Sequence, residues 1–174
     1  GRRFDARIST EFDTGLTDSA CVFCGNCFGV CPTGALMFRS EHDMRAAGAW
    51  DDAAQSVTET ICPYCGVGCA LELHVQDNRI VKVTSKPEYV SNDGNLCVKG
   101  RFAFNFVHHP DRLTEPLVRD ENGELQPTTW EHALQAAADG LKGVMERHSP
   151  QAVGVLASAR LTNEENYLIQ KLAR

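Results

Sequence analysis

Ile61-Cys62-Pro63-Tyr64-Cys65-Gly66-Val67-Gly68-Cys69 places three cysteines in one short loop, and Cys97 stands alone downstream as a fourth. Cysteines two or three residues apart converge on one point, as a metal or cluster requires. Disulfide frameworks instead spread their cysteines across loops to staple a small core. Gly66 and Gly68 let the loop curl tightly. Between the loop and Cys97, Leu71, Leu73 and Val75 alternate along a strand over Ala70–Gln76. Asp77-Asn78 marks a turn and Arg79–Thr84 a returning strand, so a hairpin brings Cys97 back to the loop. The spacing predicts a complete four-thiolate site. Structural zinc sites draw on paired C-x2–4-C knuckles, so the lone fourth cysteine favours an iron–sulfur cluster, with four-cysteine zinc as the alternative.

Upstream lies another array, the first in chain order, which makes the Cys62–Cys97 set the second. Cys21-x2-Cys24-x2-Cys27-x3-Cys31-Pro32 has the spacing of the bacterial ferredoxin run. Gly25 permits close backbone approach, and Pro32 turns the chain away after the last thiol. In two-cluster ferredoxins the fourth cysteine of such a run serves the other cluster. On that pattern Cys21, Cys24 and Cys27 share one cluster whose fourth ligand lies elsewhere, and Cys31 serves a cluster whose other ligands precede Gly1. The alternative is that all four hold one cluster.

Composition narrows the field. The chain has 174 residues and a net charge of −6, a balance that argues against nucleic acid, because phosphate binding needs a basic footprint. No apolar run approaches the roughly 20 residues of a membrane span. Reduced-thiol chemistry in both arrays points to the cytoplasm. The opening Gly1 in place of Met implies that the true N-terminus is missing. Arg2-Arg3 lacks a following apolar stretch, Phe4-Asp5-Ala6-Arg7 being polar, and so does not read as an export signal.

The expected fold class is α/β, with α+β character at the N-terminus. Residues 1–45 form a ferredoxin-like half-module and 46–57 a linker. Residues 58–112 form a small β-rich cluster-binding domain, and 113–174 begin an α/β domain. Within the last segment, Asp120-Glu121-Asn122-Gly123 joins two short strands. Thr128 and Glu131 form a capping box ahead of a helix carrying Trp130, Leu134, Ala137, Leu141 and Val144. Pro150 ends that helix, 152–157 has the length and character of a buried strand, and Thr162 with Glu165 caps a further helix. One buried strand between helices suggests the start of a parallel-sheet domain, and hence a fragment.

Ile61–Cys69 and Leu96-Cys97-Val98-Lys99-Gly100-Arg101-Phe102 together resemble the N-terminal cluster motif of the molybdenum/tungsten bis-pterin oxidoreductases. Within that superfamily the chain most resembles the alpha (catalytic) subunits of formate dehydrogenases. The stretches Val107-His108-His109-Pro110-Asp111-Arg112-Leu113, Ala157-Ser158-Ala159-Arg160 and Thr162-Asn163-Glu164-Glu165-Asn166-Tyr167 point the same way. The resemblance implies that Cys62, Cys65, Cys69 and Cys97 hold the 4Fe–4S cluster beside the pterin. It also implies that Lys99 lies between that cluster and a pterin, where it assists electron transfer. It further implies a ferredoxin module at Cys21–Cys31, a Mo or W bis-molybdopterin guanine dinucleotide cofactor in the intact protein, and formate as substrate. Electrons would then pass to an NAD-linked flavin/iron–sulfur subunit or another acceptor. The metal-binding cysteine or selenocysteine and the formate-handling residues would lie beyond Arg174, leaving this stretch inactive alone. Other readings are the large iron–sulfur subunit of a respiratory NADH dehydrogenase and a zinc-bound interaction module.

The remaining candidates carry less. His108-His109 reads as surface or packing, since adjacent side chains rarely aim at one ion. Trp50 and Trp130 read as packing residues, and Phe102, Phe104 and Phe106 as a wall keeping water off the cluster domain. Asn163 and Glu164 open a helix after the expected strand, a position where such folds meet cofactors, and are candidate pterin contacts; the alternative is helix capping.

Overall fold

A computed structural model describes Phe4 and residues 6–174, which form two compact units, one ending at Phe106 and the other running from Val107 to Arg174. Arg2-Arg3 lies outside the described residues. The class is mixed helix and sheet, and among the described residues no helix is long and apolar enough to cross a membrane.

The first unit contains, in chain order, α1 (Asn26–Val30), α2 (Arg39–Ala46), β1 (Ser56–Ile61), β2 (Ala70–Gln76), β3 (Arg79–Thr84) and α3 (Val98–Phe102). The strands form an antiparallel sheet in the order β1-β2-β3. The expected hairpin is present, and Asp77 and Asn78 both adopt positive φ, 51° and 58°. Two such residues in succession give the turn whose twist matches the flanking strands. β1 escapes a reading by hydrophobic alternation because every one of its residues is exposed.

Period-two alternation sends the two faces of β2 to different neighbours. Leu71 and Val83 are buried with Leu96 and Cys62, with Tyr64, Cys69, Leu73, Ile80 and Phe104 against them. The opposite face is polar yet covered. His74 Nε2 meets Thr84 Oγ1 at 2.8 Å, and Thr84 Oγ1 donates to Glu72 Oε2 at 2.9 Å. α2 lies over β3 through Ser40 Oγ, which donates to the Val81 carbonyl, and through the Lys82–Glu41 ion pair at 3.1 Å. Gln76 fixes the segment between α2 and β1, donating to the Ala49 carbonyl and accepting from the Asp51 N–H. Trp50 packs as expected, with Arg45 and Lys82 over its ring at 5.0 and 5.2 Å.

The second unit contains the hairpin β4 (Leu117–Arg119) and β5 (Leu125–Pro127), then α4 (Trp130–Arg147) and α5 (Asn163–Ala173). The turn at Asp120 is built as expected, its carboxylate accepting from the N–H groups of Asn122 and Glu124. Thr162 and Glu165 make both arms of their capping box.

Three expectations are corrected here. The cap of α4 is Thr129, which accepts from His132 N, and not Thr128 with Glu131. The Thr128 N–H is already committed to the Pro116 carbonyl, which extends the hairpin and moves the helix start one residue on. Residues 152–157 form no buried strand: Pro150–Ala152 is a 3-10 turn, and only Val153 of the following stretch is even half-buried. The only sheet described in this unit is the two-stranded β4–β5, which does not pair with 152–157, and an unpaired strand leaves its backbone groups to water. Trp130 is 69% exposed and so packs against little.

Candidate metal centre

The loop carrying Cys62, Cys65 and Cys69 is the connection between β1 and β2. Ile61 pairs with Ala70, and the Cys62 N–H closes the loop base on the Cys69 carbonyl at 2.8 Å. Gly68 sits at φ 67°, a conformation that favours glycine, and donates to the Cys65 carbonyl. Cys62 is buried, Cys69 half-buried, and Cys65 exposed at the tip.

Cys97 returns to this loop by a chain of polar contacts. Asn92 Oδ1 accepts from the Ala70 N–H at 2.9 Å, Ser85 Oγ donates to the Ala70 carbonyl, and Asn92 Nδ2 donates to the Asn95 carbonyl. Leu96 then enters the core, and Cys97 becomes the N-cap of α3. A Cβ on Gly100 would stand 3.6 Å from Cys62 Sγ, so α3 lies directly against the loop.

The four cysteines lie in different electrostatic surroundings. Burial pushes the Cys69 thiol up, and the charges of Cys62, Cys65 and Cys97 push it further. Cys97 moves the other way: the backbone N–H of Gly100, then that of Lys99 and the Lys99 ammonium, hold its thiol below the usual range against the cost of burial. Lys99 itself is exposed in the first turn of α3. Among the described residues, no three His, Cys, Asp or Glu side chains come close enough to share a single ion. Four soft thiolate ligands suit a polynuclear cluster.

In the other array, Cys27 lies within α1 and Cys31 ends it. The Phe23 N–H donates to Cys21 Sγ at 3.4 Å. Cys31 Sγ contacts Thr33 Oγ1 at 3.4 Å, and this contact with the N–H groups of Thr33, Leu36 and Ala35 brings its thiol down to about 7. Phe28 of α1, Phe38 and Phe102 of α3 form an aromatic cluster with centroids 5.2–5.9 Å apart. The expected phenylalanine wall is therefore divided. Phe102 backs the first array, Phe104 joins the core beside Cys62, and Phe106 sits edge-on to Tyr64.

Asn163 and Glu164 are exposed on the first turn of α5, whose capping falls to Thr162 and Glu165. His109 meets its neighbour Asp111, whose N–H donates to His109 Nδ1 at 3.2 Å.

Arg101 and Asn26 have no sequence signal of their own. Arg101, 4% exposed, donates through Nε to the Cys24 carbonyl at 2.9 Å and through Nη2 to Asn26 Oδ1 at 2.8 Å. The same Asn26 oxygen accepts from the Leu96 N–H at 3.2 Å, and Asn26 Nδ2 donates to Asn95. One hint was available in the spacing, since Arg101 falls one helical turn after Cys97.

Comparison with known proteins finds three matching domains. Residues 17–37 match the 4Fe-4S binding domain, residues 55–109 the molybdopterin oxidoreductase Fe4S4 domain, and residues 112–174 the molybdopterin oxidoreductase domain. The chain is 40% identical over 154 residues to the NADPH-Fe(3+) oxidoreductase subunit alpha of Geobacter sulfurreducens, a match spanning 88% of this chain and 17% of that protein. It is 33% identical over 201 residues to a Staphylococcus aureus protein named provisionally as a formate dehydrogenase, covering 97% of this chain and 20% of that protein. The chain thus spans about a fifth of the length of these curated relatives. The domains it matches are those that carry 4Fe–4S clusters and a molybdopterin cofactor, and over residues 55–109 and 112–174 the chain is similar to molybdopterin oxidoreductases.

Proposed function

We propose that this chain is the electron-transferring part of a formate dehydrogenase alpha subunit. What supports the reading is the loop of Cys62, Cys65 and Cys69 closed at its base, with α3, its N-cap Cys97 and Lys99 in its first turn lying against that loop. These four cysteines would ligate one 4Fe–4S cluster. Cys21, Cys24 and Cys27 would supply three ligands of another, with Cys31 serving a further cluster. In the full-length protein formate would lose two electrons and a proton to give carbon dioxide, chemistry for which the molybdopterin centre supplies the two-electron step. The cysteine-held clusters pass electrons singly toward an NAD-linked flavin subunit or another acceptor, in the cytoplasm. Lys99 contributes a positive charge two residues from Cys97, which stabilises the electron-rich reduced state. Asn163 and Glu164 would reach toward the pterin from the start of α5. The domains 1–45, 58–112 and 113–174 divide these tasks.

A second reading has its own support. The Geobacter sulfurreducens relative is named for NADPH and ferric iron, so electrons could enter from a nicotinamide-linked partner with no formate involved.

One experiment separates the two. The full-length protein is purified without oxygen, its iron, acid-labile sulfide and zinc are measured, and formate or NADPH is added while cluster absorbance is followed. Bleaching by formate supports the first reading; bleaching by NADPH alone supports the second. Cys97→Ala should remove about four iron and four sulfide and stop electron delivery to acceptors. Wild-type iron content and turnover in that variant would overturn the ligand assignment, and zinc without sulfide would overturn electron transfer itself.

A further inference from the structure

Arg101 is a buried cation with no carboxylate to answer it. Arg45 and Lys82, which pack on the sheet, are answered by Glu41, and Lys86 by Glu59 and Glu72. Among the described residues Arg101 has no carboxylate partner; its Nε donates to the Cys24 carbonyl at 2.9 Å, and the ionisable groups acting on it are the thiols of Cys24 and Cys27. A guanidinium this deep is costly unless negative charge meets it. A thiolate-bound 4Fe–4S cluster is net anionic and becomes more so on reduction, so it supplies that charge.

We propose that Arg101 is the built-in countercharge of the cluster held by Cys21, Cys24 and Cys27 and sets its reduction potential, with Asn26 fixing the guanidinium there. The inference rests on the cluster reading above. The hydrogen bonds define the device. Nε and Nη2 grip the Cys24 carbonyl and the Asn26 side chain, so the cation cannot swing to solvent. Asn26 Oδ1 also holds the Leu96 N–H, which ties this loop to the residue preceding Cys97. Gly25 makes room: a Cβ there would fall 2.6 Å from Phe102 Cζ and closer still to Arg101 Cδ. Arg101 springs from the second array, its N–H donating to the Cys97 carbonyl, while its charge is delivered to the first. Cluster potentials respond to local charge and hydrogen bonding. A fixed cation on the first array makes it the better electron acceptor and so favours transfer in that direction.

The test is an anaerobic redox titration of the full-length protein followed by electron paramagnetic resonance, with the second-array signal identified by its loss in Cys97→Ala. Arg101→Gln keeps an amide donor and removes the charge. At the wild-type midpoint it should lower the reduced-to-oxidised ratio of the first-array cluster about tenfold, about 59 mV for a one-electron couple. The second-array cluster should move less. Arg101→Lys, which keeps the charge, should recover most of the shift, as a purely structural role would not require. Asn26→Asp keeps the acceptor oxygens, neutralises the guanidinium, and should shift the same cluster in the same direction as Arg101→Gln. Unchanged midpoints in Arg101→Gln with full iron content overturn the proposal, as do equal shifts of both clusters. If Arg101→Gln loses the first-array cluster, Asn26→Asp decides, and an unchanged midpoint there overturns it. Wild-type protein without clusters would overturn the proposed function and this inference together.

Discussion

Glu41 shows how a single residue can hold an element onto a sheet. Its carboxylate is buried on α2, yet it receives Arg45 at 2.9 Å and Lys82 at 3.1 Å. Burial alone would raise its pKa, but the hydrogen bonds and charges of Arg45 and Lys82 outweigh burial and leave it below the ordinary glutamate value. A carboxylate depressed on folding contributes stability that is present above the unfolded value of about 4.3 and lost as pH falls through the folded value. Arg45 is half-exposed and its share is screened, so most of the effect belongs to Lys82. Glu41→Gln should therefore cost about 1–2 kcal/mol at pH 7. That gap should narrow as pH falls from about 4.3 through the lower folded value and the wild-type carboxyl takes up its proton. Urea midpoints across the range measure it, and a gap that stays constant down to pH 3 would refute the assignment.

At the scale of elements, the hairpin that delivers Cys97 depends on two adjacent left-handed residues. Asp77 and Asn78 tolerate positive φ because their short polar side chains do. Asn78→Val forces a β-branched side chain into that conformation and should destabilise the first unit by about 1–3 kcal/mol, whereas Asn78→Gly should leave it unchanged or slightly more stable. Thermal unfolding of the three proteins decides, and equal midpoints for Val and Asn would show that the turn is not under this constraint. This hairpin was legible because alternation and turn chemistry are both local. The Thr162–Glu165 box was legible for the same reason. β1 was not, because a strand exposed along its whole length carries no alternation to read. The run at 152–157 misled because an apolar segment becomes a strand only where a neighbour pairs with it. The loop of three cysteines between two strands was visible in their spacing. The Arg101–Asn26 contact joins residues 75 positions apart, and no local pattern announces it.

The two units differ in what holds them together, and that difference can be measured. The first buries Leu71, Val83, Leu96 and Cys62 in one core, whereas the second leaves Trp130, Leu134, Leu156 and Leu172 more than half exposed. Burial of apolar surface is the main favourable term in folding, so backbone protection should follow the core and not helix length. α4, at 18 residues, is the longest element, but none of its residues is buried. An isolated helix of that length is marginal in water. In hydrogen–deuterium exchange, the amides of β2 and β3 should exchange at least about a hundredfold more slowly than those of α4 and α5. Removing iron with a chelator tests the cysteine loop separately. Cys62–Cys69 and the first turn of α3 hang on the core through Cys62 and a few hydrogen bonds, while Cys65 and Cys97 are exposed. Their amides should lose protection when the clusters go, while those of β2 and β3 keep theirs. If the sheet loses its protection together with the loop, the clusters and not the apolar core are what hold the first unit together.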